Sequence, residues 1–206
     1  MTGSNALGLV GDADGQTPVD ADEAQYLTPH YAYISTRQEL NEAEAMNIAD
    51  ALLWLEDQDL DAHDILHQAF LREFHRRMFG DVWTWAGRLR QRETTIGIAP
   101  AQIQERLQAL LGDTLFWIEN ETYDRSEIGV RFHHLLVLIH PFANGNGRHA
   151  RLASSAIANA LGLGFDHYSW GSRSNSTAVQ ARRQYLTALR AADHGDYSHL
   201  LRNAVS

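Results

Sequence analysis

His140-Pro141-Phe142-Ala143-Asn144-Gly145-Asn146-Gly147-Arg148-His149-Ala150-Arg151 is the stretch on which the reading of this chain turns. An apolar run, Leu135 through Ile139, precedes it and must be buried. The segment that follows, Arg148 to Leu161, has the apolar spacing of a helix. A glycine-rich turn therefore opens a helix and carries one histidine and two arginines. Backbone N–H groups at a helix start lack intrahelical partners, and the helix dipole favours negative charge there. Gly145 and Gly147 permit positive φ and close backbone approach. Arg148 and Arg151, three apart, share one helical face, and arginine forks match phosphate oxygens. His140, in front, can take a proton near neutral pH. An ordinary helix–loop–helix turn would use the same glycines and asparagines for their φ angles alone. The paired arginines and the leading histidine favour a polyanion site with a base beside it.

Composition narrows the chemistry further. With 206 residues, 44% of them hydrophobic, the chain can build the core of one domain with attachments. It has no cysteine, which excludes disulfides, thiolate nucleophiles and zinc–thiolate sites. The 17 Lys and Arg positions are all arginine, so Schiff-base lysine chemistry and a P-loop lysine are excluded too. A formal net charge of −9 argues against direct nucleic-acid binding. Uninterrupted apolar runs of about five residues fall far short of the ~20 that span a membrane. The N-terminus lacks the basic and apolar regions of a signal peptide. The expectation is a soluble, cytoplasmic protein with no membrane partner.

Residues 1–25 are rich in Gly, Ala and Asp and read as a disordered acidic tail. Residues 26–60 form an N-terminal segment. It opens with an aromatic stretch and continues as a helix from Thr36, where Thr36-Arg37-Gln38-Glu39 has the form of a capping box. Residues 61–206 read as the main domain. Helices are expected over Ala62 to Phe79, from Pro100 to Ile118, from Ser126 to Ile139 and from Arg148 to Leu161. Two more are expected at about 175–192 and 196–205, with Asp196 as the N-cap of the last. Residues 88–99 alternate around Gly97 and read as a short β-hairpin. The sum is an all-α bundle of about seven helices with one small hairpin. His133, His134 and His149 lack the spacing and carboxylate partner of a helical zinc motif and read as packing groups.

His-Pro-Phe-x-x-Gly-Asn-Gly-Arg-x-x-Arg resembles the signature of the Fic (Fido) domain family, and Trp85-Ala86-Gly87-Arg88-Leu89-Arg90 is similar to the segment that leads into that family's hairpin flap. The chain from about residue 26 looks most like the subgroup named mobile mystery protein B. The resemblance implies a Fic-type helical bundle and a protein adenylyltransferase that moves AMP from ATP to a hydroxyl of a target protein. It implies His140 as general base and Phe142 as the loop's anchor. Gly145, Asn146 and Gly147 would form the anion cradle, and Arg148 and Arg151 would bind the triphosphate. Thr94, Thr95, Ile96 and Gly97 would form a flap that holds the target by strand addition.

Two positions qualify that picture. Asn144 stands where the family usually places an Asp or Glu that holds Mg²⁺. An amide oxygen can coordinate the ion but brings no charge, so magnesium, the implied cofactor, should bind weakly. Ser35 and Glu39 fit the spacing of the family's self-inhibiting helix, although Leu40 departs from its pattern; Glu39 also serves as the capping-box carboxylate. The second function class is a catalytically weak Fic-like protein that binds nucleotide or a helix-turn-helix partner in a mobile-element, toxin–antitoxin-like operon. A transferase using another nucleotide donor is the third.

Overall fold

The capping box at Thr36 starts the first long helix. Thr36 Oγ1 accepts the Glu39 N–H at 3.3 Å and Glu39 Oε2 accepts the Thr36 N–H at 3.0 Å. In the computed structural model, which describes residues 18–171 and 177–205, the helices follow in this order. They are α1 (Ala21–Ala24), α2 (Arg37–Glu56), α3 (Ala62–Ile65), α4 (Gln68–Phe79), α5 (Ile103–Glu119), α6 (Arg125–Ile139), α7 (Asn146–Ala160), α8 (Ala178–Ala192) and α9 (Ser198–Val205). Among the described residues seven of these are longer than a turn, which is the expected all-α bundle. None is long and apolar enough to cross a membrane.

Three expectations are corrected. Residues 18–25 are structured: Asp20 caps α1, the Val19 N–H bonds Ser35 O at 2.9 Å, and Glu23 pairs with Arg37. Residues 1–17 of the expected tail lie outside the described residues. The helix expected over Ala62 to Phe79 is broken. An Asp61–Asp64 capping box closes one turn as α3, and His67 Nδ1 then accepts the Ala69 N–H to cap α4. The third correction is the hairpin. No β-ladder exists among the described residues, and 90–98 contribute no pair to each other; the isolated bridge here joins Leu89 to Phe142. The reason is a side chain. Arg90 takes the carbonyls of Arg92 and Ile98 that a ladder would have used, and Gly97 sits at φ +108. The β-propensity of Thr94, Thr95 and Ile96 is overridden by that contact.

The apolar faces meet in two clusters. The larger gathers α2, α4, α5, α6 and α7 through Ile48, Phe74, Leu107, Phe132 and Ile157, all essentially fully buried. The smaller seats α8 and α9 on α6 and α7 through Val130, Ala158, Ala188 and Leu200. Helices α6 and α7 thus contribute to both, and the turn between them, His140 to Gly145, is held from two sides.

Candidate active site

Helix α6 stops at His140. The His140 N–H still reaches Leu136 O at 3.1 Å, but Pro141 has no N–H to continue the ladder, and His140 turns to φ +54. A left-handed non-glycine residue costs about 1 kcal/mol, so the surroundings must enforce it. His140 Nδ1 lies 3.2 Å from Val137 O. A carbonyl only accepts, so Nδ1 carries the proton and Nε2 keeps a lone pair. Burial pushes the pKa of His140 below its ordinary value; the Val137 bond opposes this and the Arg90 charge adds to it. The ring is therefore neutral at pH 7, as a base must be.

The loop that follows is built inward. Phe142 is fully buried, stacked on His75 with ring centroids 3.7 Å apart and edge-on to His149 at 5.1 Å. Asn146 closes the turn: its Oδ1 accepts the Phe142 N–H and its Nδ2 donates to Phe142 O, both at 2.9 Å. The Asn146 side chain is thus a buried brace, and only its backbone can face a ligand. Gly145 sits at φ +76, and a Cβ there would lie 2.6 Å from the Phe79 ring. As N-cap of α7, Gly145 offers no side chain, so the helix start is free of a side-chain cap. A Cβ on Gly147 would meet nothing within 4 Å, so it borders open space. An uncapped helix start beside open space, five residues after His140, is an arrangement that can receive an anion.

His75 was not singled out from the sequence. The Gly87 N–H donates to its Nδ1 at 3.0 Å, so the proton resides on Nε2, which donates to Asn144 O at 3.1 Å. One neutral ring therefore ties the Trp85-Ala86-Gly87 turn to the loop. The available signal was its company: Leu71, Phe74 and Met78 put His75 on the buried face of α4, where a charge has no place.

The two arginines part company. Arg148 Nη1 bonds Glu44 Oε2 at 2.5 Å, and its guanidinium sits 4.7 Å over the Phe79 ring. Glu44 is 4% exposed, and its Oε1 accepts Trp83 Nε1–H at 2.6 Å. Arg151 instead lies 4.6 Å over the ring of Tyr185 on α8, whose hydroxyl is 2.8 Å from His133 Nε2. The buried carboxylate on Arg148 could have been suspected, because Glu44 falls on the α2 face that buries Leu40, Ala43, Asn47 and Ile48.

The other expected positions are placed as follows. Glu39 Oε2 accepts from Ser35 and Thr36, and those N–H groups hold its pKa below the usual carboxylate value. Among the described residues no ion pair joins Glu39 to an arginine, so the α2 carboxylate on a motif arginine is Glu44 and not Glu39. Asn144 is exposed and its Oδ1 accepts the Gly145 N–H at 2.7 Å. Thr95, Ile96 and Gly97 are exposed, Gly97 lies against His140, and Thr94 Oγ1 donates to Ile96 O. His133 and His134 meet Tyr185, Tyr197 and Asp193, and no group of three or more metal-ligating side chains occurs among the described residues.

The sequence model of the Fic/DOC family matches residues 65–158, which run from α3 through this loop into α7. The chain carries a Fic/DOC domain. The chain is 31% identical over 160 residues to Protein adenylyltransferase fic-1 of Caenorhabditis elegans, covering 74% of this chain and 28% of that protein. It is 28% identical over 185 residues to Protein adenylyltransferase Fic of Nematostella vectensis, covering 87% of this chain and 40% of that one. The chain thus spans well under half the length of these curated relatives. A solved structure of Fic-1 from C. elegans superimposes with a TM-score of 0.61 at 26% identity, over 79% of this chain and 47% of that one. The N-terminal FIC domain of Bep8 from Bartonella sp. 1-1C shares the fold at a TM-score of 0.66 and 19% identity, over 88% of this chain and 94% of that one. Glu44 and Tyr185, which hold the two arginines, both lie outside the residues matched by the family.

Three buried histidines make the Fic/DOC domain acid-sensitive. Burial is the main cause lowering the pKa of His75, His133 and His149, that of His149 to about 4. Their unfolded value is near 6.5, so the unfolded chain binds more protons below that pH. Stability is full above 6.5 and falls as pH drops towards the folded values. His149 alone accounts for a loss of about 3 kcal/mol once pH has passed through 4. Urea unfolding should show a clearly lower midpoint at pH 4.5 than at pH 7; equal midpoints would contradict the neutral assignments.

Proposed function

We propose that this chain transfers a nucleoside monophosphate, AMP from ATP, to a hydroxyl of a target protein. The observation that carries the reading is His140, its Nε2 lone pair available, at the lip of the uncapped start of α7 with Arg148 fixed beside it. The relatives named adenylyltransferases support the donor and the acceptor class. In the step, the target hydroxyl oxygen bonds to the α-phosphorus as its proton passes to His140 Nε2. The bond from the α-phosphorus to the bridging oxygen breaks, and pyrophosphate leaves. The N–H groups opening α7 and the Arg148 guanidinium stabilise the charge that gathers on the phosphate oxygens, each such donor contributing ~3 kcal/mol.

Magnesium is the cofactor such chemistry commonly uses, and the donor set here fits it poorly. The loop offers one neutral amide, and its Oδ1 is already engaged by the Gly145 N–H. Mg²⁺ sites ordinarily rest on one or two carboxylates together with substrate phosphates. No step above is routed through the ion. Asn144→Asp is expected to lower the Mg²⁺ concentration for half-maximal labelling several-fold; an unchanged titration would count against the weak-ligand reading.

The test is incubation with labelled ATP, GTP, UTP and CTP and a search for labelled protein, this chain included. Label from ATP that disappears in His140→Ala supports the proposal. Retained nucleotide binding with no label from any donor would favour a second reading, a nucleotide-binding module without transfer, for which Asn144 is the motivating residue.

A further inference from the structure

Arg90 is 6% exposed, and the four acceptors of its guanidinium are all backbone carbonyls. Nε donates to His140 O at 2.6 Å, Nη2 to Ile139 O at 3.4 Å and Ile98 O at 2.5 Å, and Nη1 to Arg92 O at 2.9 Å. Its own N–H donates to Pro141 O at 2.9 Å. Among the described residues no carboxylate pairs with it. A buried cation without a counter-ion is costly, and an aliphatic side chain could fill the same volume without that cost. The guanidinium fork, with five donors in fixed directions, is what can bind two carbonyls at the end of α6 and two in the 92–98 segment at once.

The fork stands at the one place where backbone geometry sets the direction of the base. The bond to His140 O holds the peptide that follows the left-handed residue, and the bond to Ile139 O holds the peptide before it. On the other side the segment is pressed close: a Cβ on Gly97 would lie 2.6 Å from His140 Cβ and 2.7 Å from Arg90 Nη2. Arg90, Gly97 and His140 thus form one clasp between the base and the segment that borders it.

We propose that Arg90 is a positioning residue for His140, clasping the base and the 92–98 segment into one fixed geometry. The inference rests on the transferase reading, in which His140 takes the hydroxyl proton. A displacement of about 1 Å in such a group can cost on the order of a hundredfold in rate. Arg90 also acts through its charge. The influences on the His140 ring are its own burial, the Val137 carbonyl on α6 and, from the facing segment, the Arg90 guanidinium. The last of these favours the neutral ring.

Lysine and glutamine at this position separate charge from geometry. Arg90→Lys keeps the charge but cannot reach four carbonyls; Arg90→Gln loses both. The experiment is NMR titration of the His140 ring, which needs no turnover, beside the initial rate of AMP labelling from ATP and ATP binding by calorimetry. Both variants should label at least about tenfold more slowly with ATP affinity within about twofold, since Arg90 holds the base and not the phosphates. The His140 titration should move to higher pH in Arg90→Gln and stay near wild type in Arg90→Lys. An unmoved titration in Arg90→Gln, or wild-type labelling in either variant, overturns the proposal. If the Arg90 variants fail to fold, Gly97→Ala replaces them, because that position is exposed. Its Cβ would press on His140 Cβ and Arg90 Nη2 at a φ of +108, so it should slow labelling about tenfold with a fall in melting temperature that still leaves the chain folded at the assay temperature, and full activity there would equally overturn the clasp. A wild-type chain that labels nothing but shows the titration pattern would defeat the transferase reading and leave the clasp standing.

Discussion

His140→Ala is expected to lower labelling by about 10²–10⁴-fold, the range of a lost general base, while ATP binding stays within a few-fold of wild type. The groups proposed to face the phosphates, Arg148 and the backbone opening α7, are untouched by the change. The imidazole is held by Val137 O through Nδ1, and its pKa lies below 6.5, mainly through burial. The wild-type rate should therefore stay flat from pH 7.5 down to about 6.5 and fall only below that. His140→Asn, which keeps a hydrogen-bonding side chain but no base, should be as inactive as the alanine variant. Activity within tenfold of wild type in either variant would remove His140 from the reaction.

Glu44→Ala is expected to destabilise the fold by about 3 kcal/mol. Breaking a buried ion pair from one side leaves the other charge without its partner, and Trp83 Nε1 loses its acceptor at the same time. The loss falls at the low end of the usual range because the Arg148 side chain is 19% exposed and water can reach its charge. Glu44→Gln should be milder, since an amide oxygen can still accept from Trp83. Because Arg148 relies on Glu44 for its orientation, ATP affinity should also weaken by about tenfold, the worth of roughly one good contact. The decisive measurement is a double-mutant cycle with Arg148→Met in urea. The double variant should be less damaged than the sum of the singles by about 1–3 kcal/mol. Additive losses would mean that the two side chains touch without supporting each other.

Much of the architecture was legible because helices are local. Thr36 and Glu39 form the expected capping box, Asp196 accepts the Ser198 N–H that opens the last helix, and Gly145 opens α7 at positive φ. Each is decided within one or two turns of chain. The expected hairpin does not form, for the complementary reason. Residues 94–98 have β-forming side chains, but a strand needs a partner for its carbonyls, and Arg90 supplies a guanidinium instead. The helix expected over Ala62 to Phe79 failed on a local competition: Asp61, Asp64 and His67 cap two shorter helices more effectively than the apolar pattern sustains one.

By itself, then, the sequence determined that this is an all-α chain whose histidine and glycine-rich turn stand at the head of a helix, because caps, glycines and helical periodicity act between near neighbours. Only the tertiary structure decided what holds that turn in register. Glu44 meets Arg148 across 104 positions, Arg90 meets His140 across 50, and His75 meets Asn144 across 69. No local pattern announces such contacts. They arise because burial leaves a carboxylate, a guanidinium and an imidazole with no water to bond. Each must then find its partner in whichever segment the fold brings alongside.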